Sequence, residues 1–170
     1  MDIEKFNNFI ESINEAYDNP VKINWILNTN NEFDGEFYVN NVKYLIECSD
    51  WDNNIWSYKF SRIESGRKIM SLVNDSLNKM TVLATIRIGM IEFIKEKNPS
   101  GIIINVIDGS RGRDYMWRRY SMEISETYNY ELYNQNIMGR STFFLYKEDE
   151  VSFEDMNKSF NKMLKLFQNQ

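Results

Sequence analysis

The feature that most constrains this chain is a short apolar run at residues 102–107, which reads Ile-Ile-Ile-Asn-Val-Ile between Gly101 and Gly109. A brief, continuous, β-branched run is typical of a strand that is buried on both faces. Asn105 is its one polar residue, and we expect its amide to be hydrogen-bonded there, either structurally or beside a cleft where parallel strands splay. The run therefore predicts a central strand.

The residues before this run predict how the central strand is reached. Residues 75–97 carry the longest helical pattern, with apolar positions at 3–4 spacing and a stop at Asn98-Pro99. Residues 55–63 alternate between apolar and polar side chains, as a strand does. A strand, a helix and a buried strand in that order indicate a βαβ crossover, so we expect these two strands to be parallel.

The other segments complete an α+β domain. Helices are predicted at residues 2–17, 110–126 and 151–167, and further strands at 21–27, 36–39, 42–48, 128–132 and 142–146. Residues 28–35 read as a turn, and Asn40-Asn41 predicts a hairpin because Asn tolerates positive φ. We expect one domain, residues 1–170, with a mixed sheet: an antiparallel meander, one parallel crossover, and N-terminal, central and C-terminal helices.

Composition excludes several classes of chemistry. The chain has no histidine, so a Ser-His-Asp triad, a Cys-His dyad and histidine metal sites are impossible. Its one cysteine, Cys48, cannot form an internal disulfide and is expected to be a buried structural thiol. No carboxylate spacing predicts a metal site. No apolar run approaches the ~18–20 residues of a membrane span, and residues 1–6 lack signal-peptide features. We expect a cytoplasmic protein of a bacterium or a phage-infected cell.

The first candidate site opens the helix after the central strand. Ser110, Arg111 and Arg113 stand where ligands bind in open α/β sheets, outside the carboxyl end of a strand. A helix N-terminus with two guanidinium groups suits a phosphate or carboxylate. Arg118 and Arg119 continue the same helix. The alternative is a solvated helix face whose arginines pair with Asp114.

The second candidate site is a basic cluster of Arg62, Arg67 and Lys68, at the end of the strand at residues 55–63 and in the loop after it. If it faces the first cluster, the two together would suit a nucleotide, RNA or an acidic protein partner. The alternative is an ordinary charged loop. The net charge of −5 argues against general nucleic-acid binding, which needs a positive field.

The element order from residue 42 to residue 146 resembles the GNAT (N-acetyltransferase) fold, and Asp108, Tyr115 and Tyr120 stand at spacings similar to a motif of that family's second helix. Arg111 and Arg119 depart from the motif, which has small residues there. The resemblance implies an acetyl-CoA-dependent N-acyltransferase, with Tyr115 as general acid and a carboxylate such as Glu64 as base.

The phosphate loop of that family is missing, since Gly66 is the one glycine between Phe60 and Leu77 and no Gly-x-Gly precedes the long helix. We therefore expect a scaffold without acetyl-CoA or another cofactor, acting by binding a host protein or a small anionic, nucleotide-type ligand. Residues 82–119 also resemble small tailed-phage proteins. Nucleic-acid binding through the arginines remains an open alternative.

Overall fold

The computed structural model describes residues 19–69, 76–106, 111–137 and 140–168, with the side chains of residues 76–77, 111–114 and 167–168 excepted. The helix predicted at residues 2–17 lies outside this part of the chain. So do Asn74 and Asp75, either of which is a residue type that favours the N-cap of the long helix, and Ser110 of the first basic cluster.

The described elements form an α+β fold. They are β1 (Asn24–Asn28), β2 (Glu32–Val39), β3 (Val42–Asp50), β4 (Ile55–Glu64), β5 (Arg67–Ile69), α1 (Ser76–Lys97), β6 (Gly101–Val106), α2 (Arg111–Tyr128), β7 (Glu131–Ile137), β8 (Arg140–Tyr146) and α3 (Phe153–Gln168). The strands lie in the order β1-β2-β3-β4-β6-β8-β7, with β5 paired to β4. Only β4 and β6 are parallel among the described pairs. The predicted mixed sheet with one parallel crossover is confirmed.

The two faces of the sheet carry separate apolar clusters, because successive strand residues point to opposite sides. Trp56, Tyr58 and Phe60 of β4 pack in the larger cluster with residues of α1 and α2. Ile55 packs in the smaller cluster, on the other face, with α3 residues such as Phe160. The helices α1 and α2 therefore cover one face, and α3 covers part of the other.

The predicted hairpin at Asn40-Asn41 is confirmed, with φ of 47° and 63° at the two residues. The turn predicted at residues 28–35 is wrong in its second half, since residues 32–35 belong to β2. Position 35 of the strand needs a glycine, because a Cβ there would come within 2.7 Å of Ile23 and Trp25 side-chain atoms. A glycine that looked like a turn signal thus makes room for packing.

Two further sequence predictions need correction. Residue 128 ends α2, and the strand predicted at 128–132 is instead β7, Glu131–Ile137. The strand β5 was not predicted at all, because three residues with two positive charges carry no alternating apolar pattern. It pairs antiparallel with the end of β4, from Glu64↔Arg67 to Arg62↔Ile69.

Candidate anion-binding site at the open end of the parallel strands

Asn54 ties the parallel strands together where they begin. Its backbone carbonyl accepts hydrogen bonds from the N–H groups of Ser100 at 2.9 Å and Gly101 at 3.3 Å. Its side-chain amide donates to the Asn98 carbonyl at 2.9 Å, and its Oδ1 accepts from Trp56 Nε1 at 2.8 Å. Asn54 holds a left-handed φ of 58°, which Asn tolerates better than most residues. This end of the β4–β6 pair is closed.

The opposite end of the pair is open. Parallel pairing between β4 and β6 covers only three registers, from Ile55↔Gly101 to Ser57↔Ile103. One edge of β4 is paired with β3 up to Ile63. The residues of β5 therefore pair with Arg62–Glu64 on the other side of β4, the side on which β6 pairs with Ile55–Ser57. Beyond Ser57 the two parallel strands diverge, and the β4–β5 hairpin stands in the gap.

Arg62 lies on the α2 side of the sheet at this open end. It follows Tyr58 and Phe60 on the same face of β4, and the Trp117 ring of α2 lies 6.3 Å and 6.0 Å from those two rings. Because α2 follows the carboxyl end of β6, which is parallel to β4, the first turn of α2 lies at the end of the sheet where the carboxyl ends of both strands lie. The topology thus brings Arg62 and the N-terminus of α2 to the same, open end of the β4–β6 pair.

The guanidinium of Arg62 has hydrogen-bonding capacity to spare. Its side chain is only 18% exposed, and Nη2 contacts Glu64 Oε2 at 2.9 Å. Nε is buried and has no hydrogen-bond partner in the described part of the chain. Tyr44 lies directly opposite Arg62 on β3. Burial raises the pKa of the Tyr44 phenol, and the positive charge of Arg62 lowers it in part.

The second basic cluster of the sequence is divided by the β4–β5 hairpin. Arg67 is exposed and pairs in register with Glu64, so it lies on the same face as Arg62. Lys68 pairs in register with Ile63, on the other face, and its Nζ lies 2.5 Å from Glu47 Oε1. The structure therefore brings Arg62 and Arg67 together and turns Lys68 away from them.

The first basic cluster is described only in part. The backbone of Arg111 and Arg113 forms the first turn of α2 at the open end of the β4–β6 pair. Further along the helix, Tyr115 is 45% exposed and Arg118 is exposed, whereas Arg119 is half-buried. Tyr115 thus offers an accessible aromatic face close to the start of α2.

Other polar residues singled out in the sequence have structural surroundings. Cys48 is fully buried, and burial raises the pKa of its thiol well above the ordinary value, as expected of a structural thiol. Asn105 is half-buried, and its Oδ1 accepts a hydrogen bond from Thr142 Oγ1 at 3.5 Å. Within the described ranges, no group of three or more acidic or cysteine side chains is placed to hold a metal ion.

Sequence reasoning missed Tyr44, which lies beside the site, and Asn54, which closes the opposite end of the β4–β6 pair. Tyr44 reads as an ordinary apolar strand residue, and only the β3–β4 register places it opposite Arg62. Asn54 belongs to the pair Asn53-Asn54, which comes directly before β4. An asparagine pair directly before a strand was its one local signal, since such pairs favour positive φ.

Comparison with protein-family models, curated proteins and solved structures gave no match. None of the helices within the described residues has the length and apolar character needed to cross a membrane.

Proposed function

We propose that this protein acts by binding and that its ligand is a small, phosphate-bearing, nucleotide-type anion held at the open end of β4 and β6. One observation carries the proposal: Arg62 is mostly buried on the α2 side of the sheet, and its buried Nε lacks a partner among the described residues. A buried polar group without a partner is costly, so a ligand that accepts from this guanidinium would relieve that cost.

The surroundings of Arg62 suit a nucleotide. An arginine presents its donors in a planar fork that matches phosphate oxygens, and Arg67 adds a second guanidinium on the same face. A helix N-terminus has backbone N–H groups without an intrahelical partner and a partial positive charge, and α2 begins at this end of the sheet. Tyr115, two residues before the sheet-facing Trp117, lies on the outward side of α2, so its ring is not part of this anion site.

A catalytic role has weaker support. Glu64, the candidate base, is 57% exposed and is engaged by Arg62. Tyr115, the candidate acid, is exposed and not set in a closed pocket of described residues. Gly66 occupies the β4–β5 turn with a φ of 76°, and nothing lies within 4 Å of where its Cβ would be. This glycine therefore serves the left-handed turn of the β4–β5 hairpin.

Calorimetry with three probes tests the proposal on the full chain. We expect ADP and tripolyphosphate to bind and acetyl-CoA to bind no more tightly than ADP, because the phosphates supply the recognised charge. Absence of heat with both phosphate probes would contradict the proposed ligand class. A clear preference for acetyl-CoA over ADP would contradict the non-catalytic role.

The divergence of β4 and β6 favours one second candidate, an N-acyltransferase related to the GNAT family, with acetyl-CoA as its cofactor. A cleft between splayed parallel strands is a place where an extended ligand can bind. That candidate predicts a free thiol released from acetyl-CoA on addition of an amine substrate. Its support ends at the architecture, because residues 70–75, which lead into α1, contain no glycine.

A phage origin, a host-protein partner and nucleic-acid binding stay predictions from the sequence. Nucleic-acid binding through Arg62, Arg67, Arg111, Arg113, Arg118 and Arg119 predicts an affinity for oligonucleotides that falls steeply with salt. An oligonucleotide that binds no better than ADP at low salt would contradict it.

A further inference from the structure

The outermost described strand on one side of the sheet is β7, and its outer edge is regular. It pairs with β8 through seven consecutive registers, from Glu131↔Tyr146 to Ile137↔Arg140, without a register shift. On its other side no described strand follows. Alternate residues of β7 therefore present backbone N–H and C=O groups outward as a template for another strand.

The two ends of the sheet differ in how they are protected. The opposite edge strand, β1, has five residues and a register shift between Trp25 and Leu27, and such irregularity hinders further pairing. The edge strand β7 has seven residues, and between Glu131 and Ile137 it contains no charged residue and no proline. It therefore lacks the charges, proline and bulge that discourage pairing between sheet edges.

We propose that the β7 edge pairs antiparallel with β7 of a second copy of this chain, centred on Asn134, so that the two sheets continue through the interface. This register uses all seven residues of the strand and sets Asn134 opposite Asn134 of the second copy. The amide side chains there can donate to and accept from each other.

The charge pattern favours this arrangement. Antiparallel pairing sets each Glu131 opposite Ile137 of the second copy, so the two carboxylates lie at opposite ends of the ladder, about 20 Å apart. Parallel pairing in register would place the two carboxylates side by side. Tyr133 is 45% exposed even though its ring centroid lies 4.4 Å from that of Phe153, and pairing would bury its exposed part.

Disulfide trapping tests the register, because the chain offers a clean background. Its one thiol, Cys48, is fully buried, so an introduced cysteine dominates cross-linking. In Asn134→Cys the two Cα atoms of the proposed pair would lie about 5.5 Å apart, within disulfide range. We expect a covalent dimer under mild oxidation. The matched control is Ile26→Cys on the β1 edge, where Ile26 is 53% exposed, and we expect it to stay monomeric.

A charge variant tests the interface without cross-linking. Asn134→Lys would set two ammonium groups against each other and should convert a dimer to a monomer in sedimentation velocity. Tyr38→Lys, at an exposed position of β2, should leave the dimer intact. Circular dichroism confirms that both variants are folded.

Three outcomes would overturn the proposed pairing: a monomeric wild-type chain at the concentrations used for calorimetry, a dimer that survives Asn134→Lys, or cross-linking of Ile26→Cys as fast as that of Asn134→Cys. The proposal does not depend on the anion site.

Discussion

The Nη2 atom of Arg62 lies 2.9 Å from Oε2 of Glu64, two residues further along the same face of β4. Glu64 is mostly exposed, whereas Arg62 is mostly buried, so the two partners are unequal. An ion pair with one exposed member contributes little to stability and exchanges readily. At the end of β4, Glu64 is the group that an incoming anion would displace.

The first prediction follows from this competition. Glu64→Gln removes the carboxylate that occupies Arg62 and keeps the size of the side chain. ADP should then bind several-fold more tightly than to the wild-type chain, as measured by calorimetry. Glu96→Gln, an exposed change near the end of α1, controls for net charge and should leave the affinity unchanged. Equal affinities of Glu64→Gln and wild type would show that Glu64 does not compete.

A second prediction concerns the anchor between the central strand and the long helix. Tyr58 Oη donates to the Ile86 carbonyl at 2.8 Å, and both residues are buried. Tyr58→Phe keeps the ring and loses this bond, so we expect the free energy of unfolding to fall by about 1 kcal/mol. Urea denaturation measures the loss. Tyr38→Phe, at an exposed site, should cost nothing measurable, and an equal loss in both variants would refute the anchoring role.

The third prediction is a pH dependence. Burial raises the pKa of Asp34, and the Cys48 N–H, 3.2 Å from its Oδ1, lowers it in part. Since the folded pKa exceeds the unfolded one, the stability that Asp34 contributes is present below the unfolded pKa and is lost as pH rises through the folded pKa. Asp34→Asn keeps a side-chain oxygen as the acceptor and removes the titration. The free energy of unfolding of the variant should therefore increase relative to that of the wild type as pH rises from about 3 to about 6.

Urea unfolding of Asp34→Asn and wild type at both ends of that range checks the sign. Asp149→Asn, exposed before α3, controls for the change in net charge. A stability difference that stays constant with pH, or one that moves in favour of the wild type as pH rises, would contradict the assignment.

The fourth prediction tests why Gly35 lies inside a strand. An alanine Cβ there would approach Ile23 Cγ2 and Trp25 Cε3 to 2.7 Å, so the neighbours must move. We expect Gly35→Ala to lower the free energy of unfolding by about 1–3 kcal/mol, as overpacking does. The cost should shrink when Trp25 is also replaced by Leu. A Gly35→Ala chain as stable as wild type would mean that the strand adapts.

Much of this fold could be predicted from local patterns. The run at residues 102–107 and the helical period before it sufficed for the parallel crossover, since burial on both faces leaves a distinctive composition. The strand β5 could not be predicted, because its three residues carry no alternating apolar pattern and the two-residue turn before it holds Ser65 at a positive φ that serine seldom adopts. The turn predicted at residues 28–35 was too long because Gly35 reads as a turn residue, whereas glycine also occurs where strands pack closely.

The candidate site shows a similar division. The arginine at position 62 was found from the sequence, since basic residues cluster after the strand. The separation of Lys68 from Arg67 follows from the two-residue period of β5, which was not recognised as a strand. The position of Tyr44 opposite Arg62 depends on strand register, which no single segment encodes.

The most direct test of the anion site is calorimetric titration of ADP into Arg62→Gln beside the charge-matched control Lys95→Gln, whose exposed side chain lies in the last turn of α1, at the opposite end of that helix from the open edge. Loss of a charged hydrogen-bond donor costs roughly 1.5–3 kcal/mol. We therefore predict an affinity at least 10-fold weaker for Arg62→Gln and an unchanged affinity for Lys95→Gln. Equal binding of ADP by wild type, Arg62→Gln and Lys95→Gln would contradict the account.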